Sequence, residues 1–172
     1  MSDFPARDLA YVIRLDEVLW GSLLLAITVA VHGLGLFSTL RVTTALKDWV
    51  EGVRLPGVRL AIIILAVWMI VVISLLEVAL WAGFFSWKGA QPNVFSAFYN
   101  ALLNYTTLQA GYLPMRWRLL EGMLGLAGLI TFAWSTGILF GLAQELLQQA
   151  TKAEQTAQAD RVGPKAARLR NH

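Results

Sequence analysis

Residues 92–147 read PNVFSAFYNALLNYTTLQAGYLPMRWRLLEGMLGLAGLITFAWSTGILFGLAQELL, and this stretch decides the fold. Its first part, residues 95–105, is short, apolar and aromatic. As a helix rising 1.5 Å per residue it covers about 17 Å, too little to cross a hydrocarbon core of about 30 Å. Irregular backbone at membrane depth persists only where protein or a water-filled cavity covers it. The pattern therefore predicts a re-entrant loop, with a pore helix over 95–105, a loop over 106–114 and a full-length inner helix over 117–147.

The composition is that of a membrane protein, because 57% of the 172 residues are hydrophobic and 15% are charged. Cysteine is absent and only two histidines are present, which leaves little from which to build a nucleophilic relay or a metal site. We therefore expect a chain that is not an enzyme, that uses no metal ion or cofactor and that has no nucleic-acid partner.

The apolar segments predict an all-α membrane protein with three transmembrane helices and the re-entrant segment. The remaining predicted parts are an amino-terminal extracytoplasmic arm (1–17), a first transmembrane helix (18–37), an amphipathic interfacial helix or loop (38–59), an outer helix (60–82) that opens a pore domain over 60–147, and a helical, basic tail (148–172). The dipeptide Gly163-Pro164 is expected to end the helix of the tail.

Basic residues are distributed unevenly along the chain. Of fourteen, four lie between the first two predicted spans and five follow the last, against two in the amino-terminal arm and three near the loop. The positive-inside rule then places the middle segment and the tail in the cytoplasm and the amino terminus outside. The prediction is a multi-pass protein of the inner, cytoplasmic membrane, in contact with its lipid.

The motif YTTL at 105–108, followed by a loop, WRLLEG and FAWSTGILFG, resembles the pore domain of the potassium-channel superfamily. LLEVALWA before the loop and VHGLGL in the first span extend the similarity over residues 18–147, and small bacterial channels with one helix ahead of a two-helix pore unit are most similar. The resemblance implies a homotetramer around a central pore that passes ions. It also implies that the selectivity filter comprises Thr106, Thr107, Leu108, Gln109, Ala110, Gly111 and Tyr112.

The loop departs from the family pattern, in which Val-Gly-Tyr-Gly-Asp follows the threonine and supplies backbone carbonyls to the ion. Aligned from Thr107, Gln109 stands at the first glycine and Tyr112 at the aspartate. Aligned from Gly111, two residues are inserted and Leu113 replaces the second glycine. Neither register restores both glycines or the acid. We expect a shorter, wider or side-chain-lined constriction, with Gln109 directed inward.

The charged residues near the predicted outer mouth are all basic, because no Asp or Glu lies between Val78 and Leu120. A tetramer would carry twelve copies of three basic residues there, namely Lys88, Arg116 and Arg118. Cation pores usually place acidic rings at their entrances, whereas the carboxyl ends of pore helices favour cations. These two effects oppose each other, and the sequence leaves the balance open.

Two ionisable residues, His32 and Glu77, lie inside predicted spans, which marks them as structural partners or as proton sensors. Counted from the predicted span ends, Glu77 is about 25 Å and His32 about 9 Å from the cytoplasmic side, so we do not expect them to pair. We expect Glu77 to bond pore-helix hydroxyls or tryptophan N–H groups behind the filter. Small residues of the inner helix are assigned to packing or to a hinge, and these are Gly125, Gly128, Gly137 and Gly141.

The function expected from these features is a tetrameric ion channel with a non-standard filter, TTLQAGYLP, weakly selective for monovalent cations. Two alternatives remain open at this stage. One is an anion-permeable pore with a basic outer mouth. The other is a non-conducting relative that acts as a membrane scaffold or regulatory subunit.

Overall fold

A computed structural model of the chain describes residues 14–50, 56–108 and 111–170, and these residues contain helices and turns but no β-strand. Four α-helices follow one another: α1 (Leu15–Val50), α2 (Pro56–Trp87), α3 (Val94–Tyr105) and α4 (Arg118–Arg170). A 3-10 turn, Met115–Trp117, leads directly into α4.

Three of the helices are long and apolar enough to cross a membrane. The candidate spans are Leu15–Lys47 in α1, Leu60–Trp87 in α2 and Met115–Gln149, which includes most of the apolar part of α4. Helix α3 has 12 residues and is about 18 Å long, too short to cross. The chain is therefore an all-α protein embedded in a membrane, as the sequence predicts.

The three long helices form a bundle in which α1 packs against both α2 and α4. Helices α1 and α4 run in the same direction, because Gly21 lies against Met123 near one end and the Lys47 ammonium meets the Glu145 carboxylate at 2.6 Å near the other. Helix α3 packs on α2 and α4.

Buried apolar side chains form two clusters of unequal size. The larger one lies in the half of the bundle that holds α3, which we call the α3 half. It includes Val78, Trp81, Phe85, Ala97, Ala101, Trp117, Leu120 and Leu124. The smaller one lies in the opposite half, toward the carboxyl-terminal part of α4, which we call the tail half. It consists of Ala66, Leu142 and Leu146.

The first helix is longer than predicted, since α1 continues without a break past Phe37 to Val50. The predicted span ends at Phe37, but the hydroxyls of the threonines beyond it are satisfied within the helix. Thr39 donates to the Gly35 carbonyl and Thr43 to the Thr39 carbonyl, both at 2.9 Å. Of the predicted interfacial segment 38–59, residues 51–55 lie outside the described residues, as do residues 1–13 of the predicted arm.

The predicted stop at Gly163-Pro164 is wrong, because α4 continues through both residues to Arg170. The short helix of the loop region was predicted accurately. It was expected over 95–105 and is found over Val94–Tyr105.

Candidate functional site

Helix α3 approaches its neighbours through a face of small residues. Its amino terminus is capped by Asn93, whose side chain accepts a hydrogen bond from the Ser96 backbone N–H at 2.8 Å. Its buried residues follow the i, i+3, i+4, i+7 spacing of one helical face, and they are Ala97, Asn100, Ala101 and Asn104. Small side chains on this face let the backbone of α3 lie close to the long helices.

The carboxyl-terminal end of α3 rests directly on glycines of α4. A Cβ atom built at Gly128 would lie 1.9 Å from the Tyr105 carbonyl oxygen, and one at Gly125 would lie 3.4 Å from that of Asn104. Only glycine permits the approach at Gly128, because any Cβ would overlap the backbone of α3. By contrast, added Cβ atoms at Gly137 and Gly141 would meet nothing within 4 Å in this chain. The packing role predicted for the four glycines therefore applies here to the first two.

The Tyr105 side chain anchors the same end of α3 to both neighbouring helices. Its hydroxyl donates to Glu77 Oε2 on α2 at 2.7 Å and lies 2.7 Å from Thr131 Oγ1 on α4. The prediction that Glu77 bonds a hydroxyl of the short helix is confirmed by this contact. It connects the last residue of α3 to a buried carboxylate.

Glu77 is also bonded to His32, which corrects the prediction that these two residues lie apart. His32 Nδ1 is 2.8 Å from Glu77 Oε1, and the two side chains are 0% and 1% exposed. The predicted depths were wrong because each was counted from a predicted end of its span. With α1 ending at Val50 and α2 beginning at Pro56, His32 lies about 27 Å and Glu77 about 32 Å from those ends, which is nearly the same level.

The second ring nitrogen of His32 joins α4 to the network, because His32 Nε2 lies 2.9 Å from Ser135 Oγ. The Tyr105 hydroxyl donates to Glu77 Oε2; in the tautomer with the proton on Nδ1, His32 donates to Glu77 Oε1 and the Ser135 hydroxyl donates to Nε2. We call this set the buried polar network, and it consists of His32, Glu77, Tyr105, Thr131 and Ser135. It draws one or two residues from each of the four helices.

A second polar contact between α1 and α2 lies one turn nearer to the connection between α2 and α3. The Trp81 indole N–H donates to Thr28 Oγ1 at 2.9 Å, and Thr28 in turn donates to the Leu24 carbonyl at 2.8 Å. Thr28 and Trp81 lie four residues from His32 and Glu77, so the two contacts form successive rungs of one antiparallel helix pair. Together they fix the register of α1 against α2.

The backbone after α3 closes the helix with a Schellman motif, in which the Thr107 N–H donates to the Asn104 carbonyl and the Leu108 N–H to that of Leu103, each at 2.9 Å. Thr107 occupies the left-handed position of this motif, with φ of 65°. Glycine is usual there, and a β-branched residue is strained by roughly 1–2 kcal/mol. The residues predicted to form the start of a filter therefore begin in a strained helix cap.

The rest of the loop is held from two sides. The Leu113 N–H donates to Glu121 Oε1 at 2.8 Å, and the Gln91 side chain donates to the Tyr112 carbonyl at 3.3 Å. The sequence predicts that Glu121 neutralises Arg118 across i, i+3, and its bond to the Leu113 N–H was not predicted; the signal for that bond is an acidic residue within the first turn of an apolar helix. Leu108 and Tyr112 are 70% and 64% exposed in the single chain. Gln109 and Ala110 lie outside the described residues, so the predicted inward direction of Gln109 stays a prediction.

The three basic residues predicted at the mouth have partners of different kinds. The Lys88 ammonium lies 3.8 Å from the ring centre of Trp87 and 4.4 Å from that of Trp20. Arg116 Nη2 lies 3.5 Å from Asp16 Oδ2 at the start of α1. Arg118 contacts the Met115 sulfur at 3.4 Å. Two of the three are thus directed toward the beginning of α1 or the end of α2.

The described residues contain no group of three or more His, Asp or Glu side chains placed to hold a metal ion. Comparison of the chain with protein-family models, with curated proteins and with solved structures found no match in any of the three.

Proposed function

We propose that this chain is the subunit of a tetrameric ion channel of the potassium-channel superfamily, weakly selective for monovalent cations. The observation that carries the proposal is the position of the carboxyl-terminal end of α3. That end is seated on Gly128 of α4 and bonded through Tyr105 to Glu77 of α2.

The depth of this contact supports a re-entrant segment. Glu77 lies ten residues from the end of α2 at Trp87, and Gly128 lies ten residues from the start of α4 at Arg118. Ten helical residues span about 15 Å, which is half of a hydrocarbon core of about 30 Å. A helix that enters beside two spans and ends inside them has to be followed by chain that returns to the same side.

Such a returning chain needs cover that one subunit does not supply. The side chains of Leu108 and Tyr112 are largely exposed, and the outer face of α3 presents Phe95 and Tyr99, which are 88% and 58% exposed. In lipid, irregular backbone has to be shielded by protein or to line a water-filled cavity. Copies of the chain around a central pore would provide both the protein cover and the water-filled cavity. The number of four subunits is taken from the resemblance to tetrameric channels.

The preference for cations is inferred from α3. The aligned peptide dipoles of a helix place partial negative charge at its carboxyl-terminal end, and four such ends would face one cavity. The loop TTLQAGYLP lacks the paired glycines of a potassium filter, so a ladder of four carbonyl rings is not expected. Weak discrimination among monovalent cations follows from these two features.

The anion-permeable alternative depends on free basic charge at the mouth. Arg116 is within 3.5 Å of Asp16, and the Lys88 ammonium is held over indole rings. The Asp16 carboxylate offsets the charge of Arg116, and the ring contacts direct the Lys88 ammonium toward α1 and α2. They favour the cation reading over the anion reading.

The proposal is tested with the full-length protein purified in detergent and reconstituted into planar bilayers. We expect single-channel currents whose reversal potential shifts with cation gradients and stays close to zero in potassium/sodium bi-ionic solutions. A reversal potential that follows the chloride gradient would support the anion alternative. Native mass spectrometry gives the subunit number, and a tetramer without flux in liposomes would identify a non-conducting scaffold.

A further inference from the structure

We infer that His32 is a positioning residue for the filter loop, acting from α1 through Glu77 on the carboxyl-terminal end of α3. This inference deepens the proposed function and rests on it where ion selectivity is concerned. It gives the first helix a role in the pore itself, beyond that of a third membrane anchor.

The geometry of one carboxylate carries the inference. Glu77 binds His32 with Oε1 at 2.8 Å and Tyr105 with Oε2 at 2.7 Å. Because both oxygens belong to one rigid planar group, the rotation that satisfies His32 also sets the direction of the oxygen that receives the Tyr105 hydroxyl. Without His32, the carboxylate would be free to turn away from α3.

Burial makes this orientation costly to change. His32 is 0% exposed and Glu77 is 1% exposed, so water is not at hand to replace a lost partner. A buried polar group left without a hydrogen bond is penalised more heavily than an exposed one. The Glu77 carboxylate therefore keeps both of its partners, His32 on α1 and Tyr105 on α3. A shift of either partner changes the orientation of the carboxylate toward the other.

Helix α4 contacts both ends of the hydrogen-bonded series His32–Glu77–Tyr105 within the buried polar network. Ser135 lies 2.9 Å from His32 Nε2, and Thr131, one turn earlier, lies 2.7 Å from the Tyr105 hydroxyl. A rotation of α4 would change both contacts together. The buried polar network thus connects α4, α1 and Tyr105, the residue that precedes the filter loop.

The two ring nitrogens of His32 have different partners, and this suggests a matched pair of substitutions. An asparagine at position 32 places its amide near the position of Nδ1, the atom that faces Glu77, whereas a glutamine places its amide near that of Nε2, which faces Ser135. His32→Asn keeps the bond that the inference requires and His32→Gln keeps the other one. Both variants carry a polar amide, so their comparison does not depend on a fully apolar variant folding.

The first measurement is hydrogen exchange of the Thr107 and Leu108 amides in the full-length protein, since these two amides close the Schellman motif. We expect His32→Gln to raise their exchange about tenfold, the ratio that corresponds to one buried hydrogen bond, and His32→Asn to keep it close to that of the wild type. Thr136→Ala is the control, because this exposed hydroxyl of α4 donates to the Phe132 carbonyl and lies outside the buried polar network, so little change is expected at these amides.

Equal exchange in the Asn and Gln variants would overturn the inference. So would an increase spread evenly along α4, which would indicate a loosened bundle. The second measurement is the potassium/sodium reversal potential, which should shift in His32→Gln and remain close to wild type in His32→Asn. A wild-type tetramer without current would overturn the proposed function, and the exchange comparison would still decide the positioning role.

Discussion

The two halves of the bundle are held together in different ways. The α3 half contains the larger apolar cluster, the buried polar network and the close seat of α3 on Gly128. The tail half has a cluster of three small or medium residues and an ion pair between Lys47 and Glu145. Among the described residues, directional bonds to buried groups fix the α3 half, whereas the apolar cluster and the partly exposed Lys47–Glu145 pair join the tail half.

This difference indicates where the molecule is able to move. Buried networks in which each member has a partner rigidify a structure, because any displacement leaves polar groups unsatisfied. Apolar contacts between helices in lipid are easier to exchange, since lipid tails are as apolar as leucine. We therefore expect the chain that follows α3 to rest on a rigid base and helix motion to occur in the tail half.

The largest expected effect comes from disturbing the seat of α3. Gly128→Ala introduces a Cβ atom 1.9 Å from the Tyr105 carbonyl oxygen, and its three nearest atoms all belong to the Tyr105 backbone, so α3 has to shift. We expect a loss of about 3 kcal/mol in unfolding free energy, at the upper end of the cost of overpacking. The measurement is unfolding by sodium dodecyl sulfate in mixed micelles.

The matched control for this substitution is Gly122→Ala. It lies on the same helix, and an added Cβ atom there would meet nothing within 4 Å. The control should change stability little, because alanine is the better helix former. Equal losses in the two variants would contradict the seating of α3 on Gly128.

A smaller and opposite effect is expected at the cap of α3. Thr107→Gly removes the strain of a left-handed β-branched residue, so we expect a gain of about 1 kcal/mol in the same unfolding assay. Thr106→Gly is the comparison, because Thr106 has φ of −84° and its hydroxyl donates to the Leu102 carbonyl at 3.0 Å. That variant should lose stability, and a gain in both would show that the left-handed position is not the cause.

The smallest effect is expected in the tail half. Lys47→Met keeps the buried stem of a side chain that is 7% exposed and removes its bond to Glu145, which is 57% exposed. Because one partner is well solvated, the pair should contribute only about 0.5 kcal/mol. A double-mutant cycle with Glu145→Gln measures it, and a coupling as large as the Gly128 effect would remove the contrast between the halves.

Local features of the fold were predictable from the sequence. Residues 95–105 are too short and too apolar for a span or a surface loop, and the observed α3 differs by one residue at its start. The three spans follow from apolar length alone. The end of α1 was not predictable in this way, because threonines such as Thr39 are polar in composition and satisfied inside the helix.

The site was harder to predict, because its contacts join residues far apart in the chain. His32 and Glu77 are 45 residues apart and were placed at different levels by counting from incorrect helix ends. Asp16 and Arg116 are 100 residues apart, so a count of acids near the loop could not include Asp16. Only the helix-to-helix register brings these pairs together, and single-sequence periodicity does not supply that register.

The length of α4 has a mechanical consequence. From Gln149, the last residue of its candidate span, the helix runs on to Arg170, a projection of about 30 Å at helical rise. A projecting rod converts a small angle at its root into a larger displacement at its tip, and a tilt of about 10° would move that tip by about 5 Å. A partner bound near Arg170 would therefore exert a larger torque on the span than one bound close to Gln149.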